Sequence, residues 1–460
     1  MPKGAKPPLS LFSRRHANSV LSKDDVRTPS QIDRDRILYS DALRRLAGVT
    51  QVVGAVEGHS FHNRLTHTLE VAQLSRRLAE RLAVAYQAQL ARHKLRIEPD
   101  VAEAAALAHD LGHPPFGHIA EGMLDDLVRD CGDDDGFEGN AQSFRIITRL
   151  SAHRPTYGGL NLTRATLNAV LKYPWLRGQG PEKESHKFGA YQSDLEDFKF
   201  ARGKISTYDK CLEAQIMDHA DAVAYSVNDL DDFWRAGLIP LENLRLRFKT
   251  EFNLFVKSRT SDSERRKAEG HIKEVEEIAK AFPLGTRYDG SFRHRINTQV
   301  LSSRFIGRFL AAASLVENNG RLELHVPYST LVQMKFLQNL VWRYVIVSPR
   351  LALQQHGQKH IIATLFNAYK GDMDNKEPKL IGSYFRHRLG DAALAGKAEI
   401  PWGLEANSVT VKSRSKRRIN ASKARLAADI VAGFSDNQAV TVYRRITGVN
   451  PGSVTDLIDS

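Results

Sequence analysis

The chain has 460 residues, 42% hydrophobic and 26% charged, with 31 Gly and 17 Pro. That balance excludes a disordered polymer or a collagen-like chain and allows a sizeable core in one large or two intimate domains. Apolar runs such as 340–347 are broken by Arg343 and fall short of the ~20 residues that cross a bilayer, so no membrane span is expected. Cys131 and Cys211 are the only cysteines, which excludes a disulfide framework and a cysteine-based zinc site. With no N-terminal apolar run ahead of a small-residue cleavage site, a cytoplasmic protein is expected.

In chain order, residues 1–32 read as a basic arm, and helical periodicity begins at Asp33. Between 69 and 86, Val71, Leu74, Leu78, Leu82 and Ala85 form one apolar stripe. An Ala-rich helix follows over 101–110 and must stop where Pro114 and Pro115 remove donors. A third helix starts near Phe116, and the acidic run 133–135 reads as a mobile loop rather than a metal site. Further helical patterns cover 163–171, 212–234, 264–281, 300–316, 329–347 and 423–433. Leu322–Val326, just after Asn319-Gly320, is the best strand signal and predicts half of a small hairpin. The expected fold is all-α, with a core over 33–240, a C-terminal helical region over 241–460 and at most a small β-hairpin.

The net charge of +13 is concentrated in two segments. Residues 1–27 carry six basic against two acidic side chains, and residues 407–425 carry seven basic and no acidic ones. Lys412, Arg414, Lys416, Arg417, Arg418, Lys423 and Arg425 form the second cluster, which predicts weak, salt-sensitive binding of single-stranded nucleic acid.

Four metal-ligand types stand out: His67, the adjacent pair His109 and Asp110, and Asp221. They are too far apart to share one helix, and their mixed imidazole and carboxylate donors suit a divalent ion with open positions for water or phosphate oxygen. His109-Asp110 lies within the longer string HDLGHPPFGH, residues 109–118. The spaced H, HD and D pattern resembles that of the HD-domain metal phosphohydrolases. RLTHTLEV at 64–71, HDLGHPPFGH with Glu121, FEGNAQ at 137–142 and LKYPW at 171–175 resemble the bacterial deoxynucleoside triphosphate triphosphohydrolases, the dGTPase-like family. RDRI at 34–37, RRL at 44–46 and AGFSD at 432–436 add to the likeness, which is dense over 33–235 and thin over 236–425.

The resemblance implies an HD-domain helical core and hydrolysis of a dNTP to the deoxynucleoside and inorganic triphosphate. It implies a divalent metal (Mn, Mg, Fe, Co or Ni, with Mn favoured) on His67, His109, Asp110 and Asp221. His118 is the expected general acid or base, with Glu121 one helical turn on to orient it. Arg64, His113, Lys172, Tyr173 and Lys187 are the expected phosphate contacts. Tyr225 and Asp229, at successive four-residue steps from Asp221, are expected against the sugar. Ala222 and Ala47 depart from residues common in relatives, so nothing is carried over there. A homo-oligomer, tetrameric or hexameric, with dNTPs also as activators, is the expected assembly. Two alternatives are an HD phosphohydrolase acting on another nucleotide phosphate ester and a weakly catalytic, nucleic-acid-binding regulatory protein.

Overall fold

Asn63 starts the first long helix, its side chain accepting from the Thr66 amide, and that helix runs Arg64–Ala85. The computed structural model describes residues 10–16, 24–51, 62–154, 157–184, 186–203, 205, 208–283, 285, 287–375, 378–382, 416–450 and 452. The Arg64–Ala85 helix packs on Pro99–Ala108 and Leu212–Arg235, and Pro29–Leu38 covers the outer side of Pro99–Ala108. Ala102, Ala104, Ala105, Ala106 and Ala108 are wholly buried. Side chains this small let neighbouring backbones approach closely, which brings residues on three helices within reach of one point.

The architecture is all-α. Among the described residues the sheet structure comprises two antiparallel two-stranded ribbons. One is the expected hairpin, Ser314–Asn318 paired with Arg321–His325, turning at Asn319 and Gly320, both at positive φ. The other, Ala152–Arg154 with Tyr157–Gly158, has no strand signal in the sequence. No helix among the described residues is long and apolar enough to cross a membrane.

The C-terminal helices close over the core. Pro349–Asp372, Lys416–Ala432 and Asp436–Ile446 pack with His118–Asp130 in one apolar cluster that includes Leu124, Val128, Phe366, Ala428 and Val431. A second cluster joins Trp234 to Phe248, Phe252, Phe255 and Phe336.

Several expected elements differ. The helix read over 300–316 runs Phe292–Ala311, because Ser291 caps it early and residues 314–318 are taken into the hairpin. The one read over 264–281 is two, Asp262–Glu269 and Ile272–Ala279, parted at Gly270 and His271. The 329–347 helix is Tyr328–Val341 followed by a π-helical turn, Trp342–Ile346. Pro349–Asp372 was not expected at all, since its Gln- and His-rich first half gives little apolar periodicity.

The charged segments also need correction. Residues 407–415 and the side chains of 416–418, which carry most of the basic cluster, lie outside the described residues. Arg425 is not a solvated member of it. Its guanidinium is buried 3.8 Å over the Tyr191 ring and donates to Asp133 Oδ2 at 2.8 Å and Gly136 O at 2.5 Å. Asp133 is thereby tied down, as is Asp135, which accepts from the Gln192 amide at 2.5 Å, so the acidic run is an anchored turn. Lys423 pairs with Asp374. In the N-terminal arm, Arg14 and Arg15 are likewise committed, to Asp33 and Asp197.

The segment between His109 and His118 is fixed from several sides. Phe116 and Gly117 both adopt positive φ, at 65° and 63°. Gly112 lies flush against the Gly139–Arg145 helix, where an added Cβ would stand 2.2 Å from Gly139 O and Ser143 N. Arg45 donates to Leu111 O at 2.7 Å, His113 O at 2.9 Å and Phe434 O at 3.0 Å. The buried Asp436 accepts from the Phe116 amide at 2.9 Å, the Thr50 amide at 3.1 Å and the Thr50 hydroxyl. Asp436→Ala leaves those buried donors unsatisfied, so denaturant unfolding should show a loss of about 1–3 kcal/mol. Unchanged stability would mean that this clasp is not needed.

Candidate metal centre and catalytic pair

His67 lies on the face of the Arg64–Ala85 helix that meets Leu212–Arg235, and its Nε2 is 3.1 Å from Asp221 Oδ1. His109 follows the last residue of Pro99–Ala108, and its Nδ1 lies 2.6 Å from Ala106 O. That contact makes Nδ1 the protonated nitrogen and turns Nε2 inward. Nε2 is buried without a hydrogen-bond partner, 3.4 Å from Asp110 Oδ1 and 3.6 Å from Asp221 Oδ1. Donor atoms of His67, His109 and Asp221 all lie within 4.8 Å of one another, with Asp110 held beside them.

Fixed cations hold the two carboxylates. Arg64 Nη1 donates to Asp110 Oδ2 at 2.6 Å, and Lys172 Nζ donates to Asp221 Oδ2 at 2.7 Å while lying 3.0 Å from Asp218 Oδ1. Burial would push both carboxyls up. For Asp110 the His109 charge, with the His113 hydrogen bond and the Arg64 charge, outweighs it, and for Asp221 Lys172 does so first, so both stay well below the usual range. Burial also opposes a charge on His109, yet Asp110 and Asp221 overcome it and hold its pKa at about 9. The space between these groups therefore favours positive charge. An unpartnered imidazole nitrogen facing two ionised carboxylates fits a divalent ion with nitrogen and oxygen donors.

His118 opens the next helix, exposed to solvent, with its Nδ1 2.7 Å from Glu121 Oε2. Glu121 is buried, and its other oxygen accepts from Lys187 Nζ at 2.8 Å. Lys187 also donates to Glu138 Oε1 at 3.0 Å. Burial alone would raise the Glu121 pKa, but the His118 hydrogen bond and the Lys187 charge bring it well below normal. Burial raises Glu138, which caps the Gly139–Arg145 helix. His113 bridges the two groups, with Nδ1 3.1 Å from Asp110 Oδ1 and its ring 5.2 Å from that of His118. Burial, reinforced by Arg64, depresses His113 to about 4, so it is a neutral ring at neutral pH. His113, His118 and Glu121 are close enough to form a second donor group. The Lys187 ammonium on Glu121 already supplies the cation there, so the geometry is that of a supported acid–base pair.

Tyr173 stacks edge-on against Trp175, with Lys210 Nζ 5.8 Å from its ring centroid. Tyr225 and Asp229 continue along the Asp221 helix. Asp229 is buried, with Oδ2 unpartnered, and burial together with the Asp232 charge raises its pKa well above normal. The structure thus gathers His67, His109, Asp110 and Asp221 with Arg64, His113 and Lys172, and places His118, Glu121 and Lys187 beside them. Sequence reading missed Glu138, Asp218 and Lys210. Glu138 lies within the FEGNAQ string but carries no spacing signal of its own, and Lys210 joins the set only through Asp218, 2.6 Å away.

An HD-domain profile matches residues 64–226, the span that holds every one of the four donor residues. These features define an HD-domain hydrolase. The chain is 37% identical over 447 residues to a deoxyguanosinetriphosphate triphosphohydrolase-like protein of Streptomyces coelicolor, covering 92% of this chain and 93% of that protein. A protein of the same description from Corynebacterium diphtheriae is 34% identical, covering 76% and 81%. Deoxyguanosinetriphosphate triphosphohydrolase-like protein 2 of Vibrio cholerae is 30% identical, covering 93% and 92%. The chain belongs to the deoxyguanosinetriphosphate triphosphohydrolase-like family.

Two outcomes follow from this geometry. His109→Ala should abolish stoichiometric divalent metal in protein purified from metal-containing medium, measured by elemental analysis, because it removes a donor from a small set. Retention of one ion per chain would exclude His109 as a ligand. A carboxyl such as Asp229, whose folded pKa lies above its unfolded one, favours folding at acid pH and loses that contribution as pH rises above the unfolded pKa. Asp229→Asn should therefore stabilise the chain at pH 7 by about 1–3 kcal/mol, with the gain shrinking below pH 4. Equal unfolding free-energy differences at both pH values would refute this.

Proposed function

We propose that the chain hydrolyses deoxynucleoside triphosphates to deoxynucleoside and inorganic triphosphate, using a divalent metal, with Mn favoured. The observation that carries the reading is the His118–Glu121 pair standing beside the His67, His109, Asp110 and Asp221 donor set, with Arg64, Lys172 and Lys187 around them. A bound ion would lower the charge on a phosphate oxygen and favour attack by water at the α-phosphorus.

The chain's own groups account for the rest. With Nδ1 engaged by Glu121, His118 presents Nε2 to solvent, the atom that exchanges a proton with the reacting oxygens. Glu121 holds the imidazole's orientation and is itself held by Lys187. Arg64 and Lys172 already face the carboxylates of the site and are placed to share their charge with a triphosphate. Tyr225, one turn beyond Asp221, would pack against the deoxyribose, where a 2′-hydroxyl would lose its hydration. The names of the relatives quoted above support a nucleoside triphosphate as the substrate class.

Incubation of metal-loaded protein with each of the four dNTPs, followed by phosphate-product analysis, tests the reading. Inorganic triphosphate is expected, and pyrophosphate or orthophosphate as the first product would contradict it. His118→Ala should lower turnover by about 10²–10⁴-fold while metal content stays unchanged. A parallel loss of metal would make His118 a ligand instead.

A further inference from the structure

The Phe292–Ala311 helix turns Thr298, Phe305 and Phe309 into the core. Its opposite face carries Phe292, Ile296, Val300, Ser303 and Gly307 at steps of four, four, three and four, which is one stripe of a helix. The apolar members of that stripe face solvent: Phe292 is 81% exposed, Val300 61% and Ile296 41%. Ser303 and Gly307 are exposed as well. From Phe292 to Gly307 the stripe is about 22 Å long.

Glycine is a poor helix former. Gly307 nevertheless sits inside the helix in ordinary helical backbone, and a Cβ added to it would meet nothing within 4 Å. No described residue of the chain fills or forbids that space, so the notch is open to a side chain from outside. The stripe itself offers one, because its two ends are opposite in size. Phe292 and Ile296 are bulky, whereas Ser303 and Gly307 are small. Turned end for end about a point between Gln299 and Val300, the sequence meets itself with 292 opposite 307 and 296 opposite 303.

We infer that this face docks on the same face of a second copy of the chain, the two helices running antiparallel about a two-fold axis near Val300. Phe292 of each copy fills the notch at Gly307 of the other, Ile296 lies over Ser303, and the two Val300 side chains meet at the axis. Such a contact is isologous and pairs large with small at both ends, as close packing of two helices demands. It is one helix wide, short of the ~800 Å² per partner of a standard interface, so the pair associates weakly by itself. Arginines border the stripe. Arg308 pairs with Glu277 at 2.9 Å, while Arg293 comes beside Arg304 of the other copy. That repulsion lies at an exposed rim, where salt screens it. Self-pairing therefore strengthens as ionic strength rises, whereas a nucleic-acid strand or an anionic lipid surface on the same arginines weakens. Ile296 and Val300 give no flat face for a base to stack on, and a lipid surface makes no use of the notch at Gly307.

Cysteine cross-linking of the full chain under mild oxidation tests both the contact and its register. A disulfide needs its two Cα atoms within about 7 Å. Val300→Cys places the two thiols almost on the axis and should give a linked dimer. Ser303→Cys, on the same stripe but about 10 Å along the helices from its own counterpart, should not. A mixture of Ile296→Cys and Ser303→Cys chains should link one of each, and the parent chain, with Cys131 and Cys211, is the blank. Each altered position is exposed, so none of these changes touches the core. Gly307→Leu, which favours the helix but fills the notch, should cut Val300→Cys linkage at least about tenfold. Added salt should increase it. Equal linkage at 300 and 303, no linkage at either, or linkage untouched by Gly307→Leu would overturn the inference. So would linkage that falls with salt while the parent chain, and not Phe292→Asp, captures single-stranded oligonucleotide or phosphatidylglycerol vesicles.

Discussion

Two carboxylates, the buried Asp110 and the partly buried Asp221, stand face to face with His67 and His109, and much of the molecule serves to make that arrangement tolerable. Ionised groups removed from water are costly unless paired. Arg64 and Lys172 each take one oxygen of a carboxylate, and the oxygens left over converge on the unpartnered His109 Nε2. The helix carrying His109 is built largely of alanine, which lets the helices bearing His67 and Asp221 close in on it. A charge requirement at the centre thus dictates small residues in the surrounding core.

The second constraint is the position of His118. It lies nine residues beyond His109, across a segment with two consecutive positive φ values, at Phe116 and Gly117, a conformation costly for a non-glycine residue such as Phe116. Arg45 and Asp436 hold that segment, one from near the start of the chain and one from near its end. The position of the His118–Glu121 pair therefore depends on the C-terminal helices, which share an apolar cluster with the His118 helix. Arg425 extends the same dependence. It stacks on Tyr191, whose hydroxyl meets the backbone of Glu138, and Glu138 holds the Lys187 that supports Glu121.

Local signals made parts of this legible from the sequence. The apolar stripe over 71–85 placed the first core helix, and the three-residue step from His118 to Glu121 put both on one helical face; the second helix, expected over 101–110 and to stop at Pro114 and Pro115, instead ends at Ala108, so His109 and Asp110 lie in the turn after it. Asn319-Gly320 marked the hairpin for the same local reason. Interactions that join distant segments left no such trace. Nothing in the spacing links Lys187 to Glu138, or Arg45 to the His113 carbonyl, and the charge of Arg425 reads as solvated until the helix bearing it docks. Gly270 and His271 interrupt a helix whose apolar pattern continues across them, so periodicity alone could not see the break.

The central claim is that four donors, His67 and Asp221 on two helices and His109 and Asp110 in the turn after Ala108, form one metal centre. Anomalous diffraction from crystals of the full chain grown with Mn tests it most directly. A single strong peak about 2.0–2.2 Å from His67 Nε2, His109 Nε2 and carboxylate oxygens of Asp110 and Asp221 is the predicted result. A peak among His113, His118 and Glu121, or none at either group, would contradict the account.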